Sequence, residues 1–302
     1  MQEYYFANYR LLVDDEISEH ESMRYLSAFR KEMPYEYTFT LHLGNPALLD
    51  EKYAEALKGP VVTETTGFEL RKLQNGCKFI SKAVSPEGIE LEKQVLECNR
   101  EYNEMTLYCL EEEKHHEVSQ EPFSYFLPFK TIVRVTCGIG MAFMGGLSLH
   151  ASLVEKDGYG VLFAGPSGMG KSTQATLWKT YQNAEIINGD SPVIYEKNGE
   201  WFAAGIPWDG KDQIYIQRNL PIKAVIVLEQ APKNRISRMT PMQAMSALLQ
   251  QVMHPVWDEK AMDRVTGLIY RCASTVPFYH LKNLPNEEAT VLTHRKINEQ
   301  AE

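Results

Sequence analysis

Residues 165–172 carry the clearest chemical signal in the sequence. They read Gly-Pro-Ser-Gly-Met-Gly-Lys-Ser and match the pattern G-x-x-x-x-G-K-[S/T] at every fixed position. The glycines let successive backbone N–H groups turn inward and form a concave anion site, to which the next helix N-terminus adds partial positive charge. Lys171 would place a point charge on the β- and γ-phosphates of a nucleotide, and the Ser172 hydroxyl would bind Mg²⁺.

This pattern predicts a phosphate-binding loop of the P-loop type for ATP with Mg²⁺. An apolar run, YGVLFA, precedes the loop and a helix-compatible run, KSTQATLW, follows it. That strand–loop–helix context is the one the pattern requires. The predicted nucleotide-binding residues are Gly165, Pro166, Ser167, Gly168, Met169, Gly170, Lys171, Ser172 and Thr173.

A β-hairpin is predicted directly before the loop. LSLHASLVEK and YGVLFAG are strand-like runs joined by Asp157-Gly158, a preferred type I′ turn. Counting outward from a two-residue turn places His150 opposite Gly165. The register therefore predicts that His150 lies at the mouth of the loop, within reach of the phosphates or of an acceptor.

The segment LHASLVEKDGYGVLFAGPSGMGKST resembles the histidine-containing strand, hairpin and P-loop of the HPr kinase/phosphorylase catalytic domain, which is related in fold to phosphoenolpyruvate carboxykinase. Two later segments are similar in the same order. Residues 186–194, IINGDSPVI, resemble the segment with paired aspartates, and residues 216–225 resemble the I-R-G-L-G-I signature. The similarity covers about residues 145–297. GIPWDGK and RNLPIKAVIVLEQ resemble more closely a subgroup of small kinases, some of which act in modified-peptide biosynthesis.

The resemblance implies an α/β fold with a mixed sheet of the HPr kinase/phosphoenolpyruvate carboxykinase type. It implies that Asp190 binds Mg²⁺ together with Ser172, or accepts the hydroxyl proton, and that Arg218 neutralises a phosphate or an acceptor carboxylate. The sequence departs from the family where Gly189 replaces the first paired aspartate and Ile216 the signature's glutamate, so HPr itself is not assumed to be the substrate. The catalytic candidates are Asp190, His150, Lys171 and Arg218.

Two further features are weaker candidates. Glu229 ends the strand-like run IKAVIVL, where a Walker-B-like acid would lie, but a strand-end glutamate is also commonly structural. The loop at 207–211 reads PWDGK. Trp208 could stack on a base or an acceptor, or anchor the loop in the core, and Asp209 and Lys211 are candidates for substrate contact.

The function predicted from these residues is transfer of the γ-phosphate of ATP to a serine-like hydroxyl in a protein, a peptide or a small metabolite. Three alternatives remain open at this point. One is a nucleotide-sensing module with little turnover, which the loss of one aspartate keeps open. Another is carboxykinase-like or hydrolytic use of the same site. The third is a nucleoside-monophosphate kinase, against which the antiparallel hairpin before the loop argues.

Composition and charge define the setting of this site. The chain has 302 residues and a net charge of −9. Residues 1–130 hold 14 basic and 24 acidic residues, whereas 131–302 hold 17 and 16. This asymmetry suggests two domains, an α+β accessory domain at 1–128 and the P-loop domain at 129–302. It also argues against a nucleic-acid partner. The charged run at 111–117, EEEKHHE, is interpreted as a solvated turn rather than a metal site.

The cysteines and the apolar segments bear on the compartment. Five cysteines without a CxxC pair favour a reduced chain. The first residues lack the apolar core of a signal peptide, and the longest near-apolar stretch, 137–149, is too short to span a bilayer. The sequence therefore predicts a cytoplasmic protein without a membrane partner, and it leaves open a homo-oligomer.

Overall fold

The computed structural model describes residues 1–64, 68–73, 76–81, 94–109, 127–208, 213–253 and 255–299. The charged run at 111–117 and the loop candidates Asp209 and Lys211 lie outside the described residues. The chain divides into two compact units. Unit 1 comprises Met1–Tyr4, Tyr9–Arg30 and Tyr35–Gly140, and unit 2 comprises Tyr5–Asn8, Lys31–Pro34 and Met141–Glu302. Both units are mixed α/β, each with one mixed sheet.

Unit 1 is built around an eight-stranded sheet. The elements of this part of the chain are β1 (Gln2–Phe6), β2 (Tyr9–Val13), α1 (Asp15–Ser18), a 3₁₀ helix (Glu21–Phe29), β3 (Tyr37–Leu43), a second 3₁₀ helix (Pro46–Leu48), α2 (Leu49–Ala56), β4 (Val61–Glu64), β5 (Phe68–Leu73), β6 (Gly76–Ser81), β7 (Val95–Cys98), β8 (Glu104–Tyr108) and α3 (Leu127–Phe143). The strand order is β1-β2-β3-β8-β7-β6-β5-β4. The pairs β2/β3 and β3/β8 are parallel, whereas β4 to β8 pair antiparallel along the sheet.

Helix α3 spans the point at which the sequence suggested a domain boundary. It starts at Leu127, and the division between the two units falls inside it, after Gly140. Gly145 follows the helix with a φ of +82°, a left-handed conformation that favours glycine and ends the helix. The boundary at 128/129 stays a prediction.

Unit 2 contains the hairpin, the glycine-rich loop and the segments that follow. Its elements are β9 (Gly146–Ser148), β10 (Ala151–Lys156), β11 (Tyr159–Ala164), α4 (Lys171–Tyr181), β12 (Glu185–Asn188), β13 (Val193–Lys197), β14 (Glu200–Ala204), β15 (Asn219–Gln230), β16 (Arg235–Arg238), α5 (Pro241–Leu249), α6 (Glu259–Thr275), β17 (Phe278–Asn283) and α7 (Glu287–Asn298). The sheet order is β12-β10-β11-β15-β14-β13-β9, with β17 beside β15 and β16 beside β17. Strand β15 is parallel to β11 and to β17, so the sheet is mixed.

Helices cover both faces of this sheet. Phe163 of β11 packs edge-on against Trp178 of α4, with ring centroids 5.5 Å apart. The preceding residue, Leu162, points to the other face and belongs to the cluster that includes Leu248 of α5 and Leu268 of α6. Because successive strand residues face opposite sides, an almost entirely apolar strand such as β11 fits between two helical layers.

The hairpin before the loop forms with the predicted register. Lys156 pairs with Tyr159 and Ala151 pairs with Ala164, so the two-residue turn at Asp157-Gly158 is confirmed. The expectation of one continuous strand through LSLHASLVEK is wrong. The run splits into β9, which pairs with β13, and β10, which pairs with β11 and β12. His150 lies at the break between the two strands.

One further property concerns the helices. Among the described residues, none of the helices is long and apolar enough to cross a membrane.

Candidate active site

The glycine-rich loop joins β11 to α4 and takes a backbone path that needs its glycines. Gly168 and Gly170 have φ values of +82° and +95°, in the left-handed region that other residues enter at a cost. Gly170 is the N-cap residue of α4, and Lys171 is the first residue of that helix. Pro166 and Ser167 are exposed. The predicted strand–loop–helix arrangement is therefore present, with the N-terminus of α4 at the loop.

Lys171 folds back on the loop and uses all three of its hydrogens. Its Nζ lies 2.8 Å from His150 Nε2, and it donates to the carbonyl oxygens of Gly165 at 2.9 Å and Pro166 at 3.3 Å. The residue is only 8% exposed. Burial lowers the pKa of Lys171, and the nearby negative charge of Asp190 partly opposes that effect.

His150 connects Lys171 to Asp190. Its Nδ1 lies 3.2 Å from Asp190 Oδ1, and its Nε2 faces Lys171 Nζ. An ammonium group can only donate, so Nε2 accepts that hydrogen bond, which leaves Nδ1 to carry the ring hydrogen and donate to the carboxylate. We call this Lys171–His150–Asp190 arrangement the relay.

Two backbone hydrogen bonds hold the relay together. Leu149 N–H donates to Pro192 O at 3.0 Å, and Ala151 N–H donates to Asp190 O at 3.1 Å. The two donors, Leu149 and Ala151, are the neighbours of His150 in sequence, and one of the two acceptors is Asp190 itself. Main-chain pairing therefore brings His150 and Asp190 together. The His150 N–H itself donates to the Gln251 carbonyl at 2.7 Å.

The turn at 188–191 contains Gly189, which stands where the HPr kinases that the sequence resembles have the first of two aspartates. The Gly189 carbonyl accepts from the buried Ser152 hydroxyl at 2.8 Å, and its N–H donates to Ile214 O at 3.3 Å. Asp190 Oδ2 accepts a hydrogen bond from the Ser191 hydroxyl at 3.0 Å. The backbone of the turn is thus fixed although position 189 has no side chain.

Oxygen ligands for a cation are present, but few. Ser172 is exposed in the first turn of α4, and the Asp190 carboxylate is about a quarter exposed. In the part of the chain that the structure describes, no group of three or more His, Cys, Asp or Glu side chains is arranged to hold a metal ion. A hydroxyl and one carboxylate fit Mg²⁺, which typically takes one or two protein oxygens and completes its shell with phosphates and water.

The described contacts of Arg218 lie near the hairpin turn rather than at the loop, and the role expected for Arg218 at the phosphates stays a prediction without a supporting contact. Its guanidinium forms ion pairs with Glu155 and Glu185, and the hydrogen bond that it donates to Glu155 is the main reason why its pKa is raised. Glu155 pairs with Gly160 near the hairpin turn. It lies four residues along β10 from Ala151, which is about 13 Å at the usual rise of a strand.

Two weaker candidates also have structural partners. Glu229 contacts His280 Nε2 at 2.9 Å and Lys282 Nζ at 3.0 Å, and the hydrogen bond from Lys282 is the main reason why its pKa is lowered. Trp208 is 1% exposed and is therefore an anchor in the core rather than a stacking surface. Its carbonyl accepts a hydrogen bond from Asn188.

Two residues near the site were missed by the sequence analysis. Gln230, at the end of β15, donates from Nε2 to the Gly168 carbonyl at 3.0 Å. Asn188 accepts hydrogen bonds from the N–H groups of Asp190 and Ser191. An asparagine two residues before the aspartate of a turn is a recognisable Asx-turn signal, whereas nothing local marks Gln230.

Comparisons with known proteins bear on the family. No curated protein matches the chain. Among solved structures, the Hpr(Ser) kinase/phosphatase from Coxiella burnetii is similar at 14% identity and a TM-score of 0.29, over 49% of this chain and 86% of that one. The family model described as SynChlorMet cassette protein ScmC matches residues 132–283, which is half of the chain. The chain therefore belongs to the SynChlorMet cassette protein ScmC family.

Proposed function

We propose that this protein is an ATP-dependent kinase that transfers the γ-phosphate to a serine-like hydroxyl. The observation that carries the proposal is the relay at the end of the glycine-rich loop, where His150 lies within hydrogen-bonding distance of both Lys171 and Asp190. Phosphoryl transfer needs a positioned phosphate, charge neutralisation and a group that orients the acceptor hydroxyl. The relay and the loop offer one residue or backbone element for each need.

The loop would bind the phosphates as a P-loop. Its backbone N–H groups and the N-terminus of α4 form the anion site, and Lys171 exchanges one of its present hydrogen bonds for a phosphate oxygen. Ser172 and Asp190 would hold Mg²⁺, which supplies charge neutralisation on the β- and γ-phosphates. Asp190 Oδ1 contacts His150, whereas Oδ2 accepts from the Ser191 hydroxyl, so Oδ2 could serve the cation while Oδ1 keeps the imidazole in place.

His150 would orient the acceptor and take its proton. The unprotonated Nε2 becomes available when Lys171 turns to the phosphate, and it can then accept the hydroxyl proton of the acceptor. Asp190 holds Nδ1–H in the required tautomer and stabilises the imidazolium that results. In this proposal His150 takes the acceptor proton. In the HPr kinases that the sequence resembles, the first of the paired aspartates is suited to that task, and this chain has Gly189 at that position.

The acceptor we propose is a hydroxyl in a peptide. The family's description names a SynChlorMet cassette. The subgroup of small kinases that the sequence resembles includes members that act in modified-peptide biosynthesis, and this favours a peptide over a metabolite or an unrelated protein. The reaction would take place in the cytoplasm, where ATP is available.

The test is label transfer from γ-labelled ATP with Mg²⁺ to a cell lysate separated into protein, peptide and small-molecule fractions. Lys171→Met and Asp190→Asn should abolish transfer by the purified protein. Arg218→Gln is the matched control, because its ion pairs lie near the hairpin turn and its loss should leave transfer intact. Label that appears only as inorganic phosphate would identify hydrolysis instead. If Lys171→Met transferred label as well as the parent does, the proposal that this site catalyses the transfer would be refuted.

A second candidate function is nucleotide sensing, and one observation favours it. All three hydrogens of Lys171 are used within the protein, so a phosphate that binds Lys171 must replace its contact with His150, Gly165 or Pro166. A sensor of this kind would bind Mg–ATP tightly without moving label. Calorimetry with Mg–ATP, run beside the transfer assay, separates the two functions.

A further inference from the structure

We infer that Asn188 is the positioning residue for Asp190, and that through Asp190 it sets the position of the His150 imidazole. Asn188 ends β12 and is fully buried. The hydrogen bonds described for its side chain all go to backbone atoms, which have no part in the proposed reaction. The catalytic consequence rests on the proposed kinase function, whereas the positioning itself follows from the contacts of this side chain.

The Asn188 amide is saturated with hydrogen bonds to two different segments. Oδ1 accepts from the N–H of Asp190 at 3.2 Å and from the N–H of Ser191 at 2.8 Å. Nδ2 donates to the carbonyl oxygens of Ile206 at 3.3 Å and Trp208 at 3.1 Å. An asparagine side chain has two donor hydrogens and two acceptor lone pairs, so each is used once.

This pattern makes Asn188 a cross-link between the Asp190 turn and the chain after β14. The carbonyls of Ile206 and Trp208 belong to a segment anchored by the buried Trp208 ring. The oxygen side of the amide fixes the direction in which the N–H groups of Asp190 and Ser191 point. A side chain that is rigid at one end and holds two consecutive N–H groups at the other determines the local backbone conformation.

The other described bonds of the turn act on different atoms. Ala151 N–H holds the Asp190 carbonyl and Ser152 holds the Gly189 carbonyl, so both act on oxygens. The Asn188 oxygen instead accepts from the N–H groups of Asp190 and Ser191. Removing this oxygen takes an acceptor from two consecutive N–H groups, and we expect the turn to rotate as a result. Rotation at 190 displaces the carboxylate that receives His150 Nδ1–H.

The experiment measures the His150–Asp190 hydrogen bond directly and needs no acceptor. The ¹⁵N chemical shift of His150 Nδ1 is read through the non-exchanging ring C–H protons of the full-length protein, and its signals are assigned by their loss in His150→Gln. Asp190→Ala gives the shift that results when the hydrogen bond is absent. Asn188→Ala should move the shift toward the Asp190→Ala value. Asn286→Ala is the matched control, because Asn286 also accepts a backbone N–H through Oδ1 but caps α7, and it should retain the parental shift.

A second readout applies once an acceptor fraction is known. Asn188→Ala should lower the maximal rate of label transfer by about tenfold or more, the usual effect of removing an outer-shell partner. If Asn188→Ala does not fold, Asn188→Ser keeps one oxygen acceptor and should give an intermediate shift.

Two results would overturn the inference. One is a parental Nδ1 shift in a folded Asn188 variant. The other is an Asp190→Ala shift equal to the parental one, because there would then be no hydrogen bond for Asn188 to position. Absence of label transfer by the parent would refute the kinase proposal alone, since the shift still decides the role of Asn188.

Discussion

Gly168 allows the proposed phosphate binding by the glycine-rich loop to be tested against a closely matched control. Gly168 has a φ of +82° and Gly158, in the hairpin turn, has a φ of +81°. An added Cβ would meet no atom within 4 Å at either position. Alanine at each site therefore adds backbone strain without a clash, and the change in unfolded-chain entropy is the same for both.

The expected magnitude follows from the left-handed conformation. A non-glycine residue there costs about 1–2 kcal/mol. At Gly158 the whole cost should appear as lower stability, because the paired strands β10 and β11 hold the turn in place. At Gly168 the loop is exposed and can relax, so the cost should appear mainly in nucleotide affinity. A cost of 1–2 kcal/mol corresponds to a roughly 5- to 30-fold weaker Kd for Mg–ATP.

The assay is calorimetric titration with Mg–ATP combined with urea unfolding of the parent, Gly168→Ala and Gly158→Ala. For each variant the losses in unfolding and binding free energy should add to about the same sum, since both arise from one strained residue. Gly158→Ala should bind Mg–ATP as the parent does. A Gly168→Ala variant with parental stability and parental affinity would refute the reasoning, because the strain would then appear in neither measurement.

Three further predictions follow from the same structure. Burial lowers the pKa of Lys171, so as the pH rises, Mg–ATP affinity should begin to decrease at a pH below 10.5, the ordinary lysine pKa. Because the negative charge of Asp190 opposes the burial effect, Asp190→Asn should shift this decrease to a still lower pH in a titration series. Thr240 and Gln243 form a capping box at the start of α5, and Thr240→Ala should lower the unfolding free energy by about 1 kcal/mol in urea with unchanged Mg–ATP affinity. Burial raises the thiol pKa of Cys137 and Cys272, and all five cysteines are buried and unpaired as disulfides. A disulfide reagent should therefore react slowly with the native protein, and it should react with five thiols after denaturation. Rapid reaction of two or more thiols in the native protein would contradict the buried arrangement.

Local patterns were sufficient to predict the part of the site that depends on neighbouring residues. The Asp157-Gly158 turn fixed the register of β10 and β11, because a two-residue turn leaves one way to pair the flanking strands. The glycines and Lys171 of the loop predicted the strand–loop–helix arrangement, because that pattern also lies within a few consecutive residues. The caps at Thr240, Asp258 and Asn286 likewise act within four residues.

Interactions between distant segments were not predictable in this way. The run through His150 is apolar and alternates as one strand would, and it breaks because β9 pairs with β13 while β10 pairs with β11 and β12. Arg218 aligned with a signature arginine, yet its partners Glu155 and Glu185 are far from it in sequence. No periodicity encodes such ion pairs. In unit 1 the antiparallel strands β5 and β6 are neighbours in sequence, whereas the parallel strands β3 and β8 are separated by four other strands and have no local signal that pairs them.

The relay illustrates how main-chain pairing brings two distant parts of the chain together at this site. His150 and Asp190 are forty residues apart, and two hydrogen bonds between the backbone around each residue bring them together. Gly189 contributes only its backbone to the turn, through its carbonyl and its N–H. The same reasoning applies to variants of His150 and Asp190, whose backbone bonds remain when the side chains change. Loss of transfer in those variants can therefore be attributed to the chemistry of the relay, whereas loss in an Asn188 variant reports on the geometry of the turn.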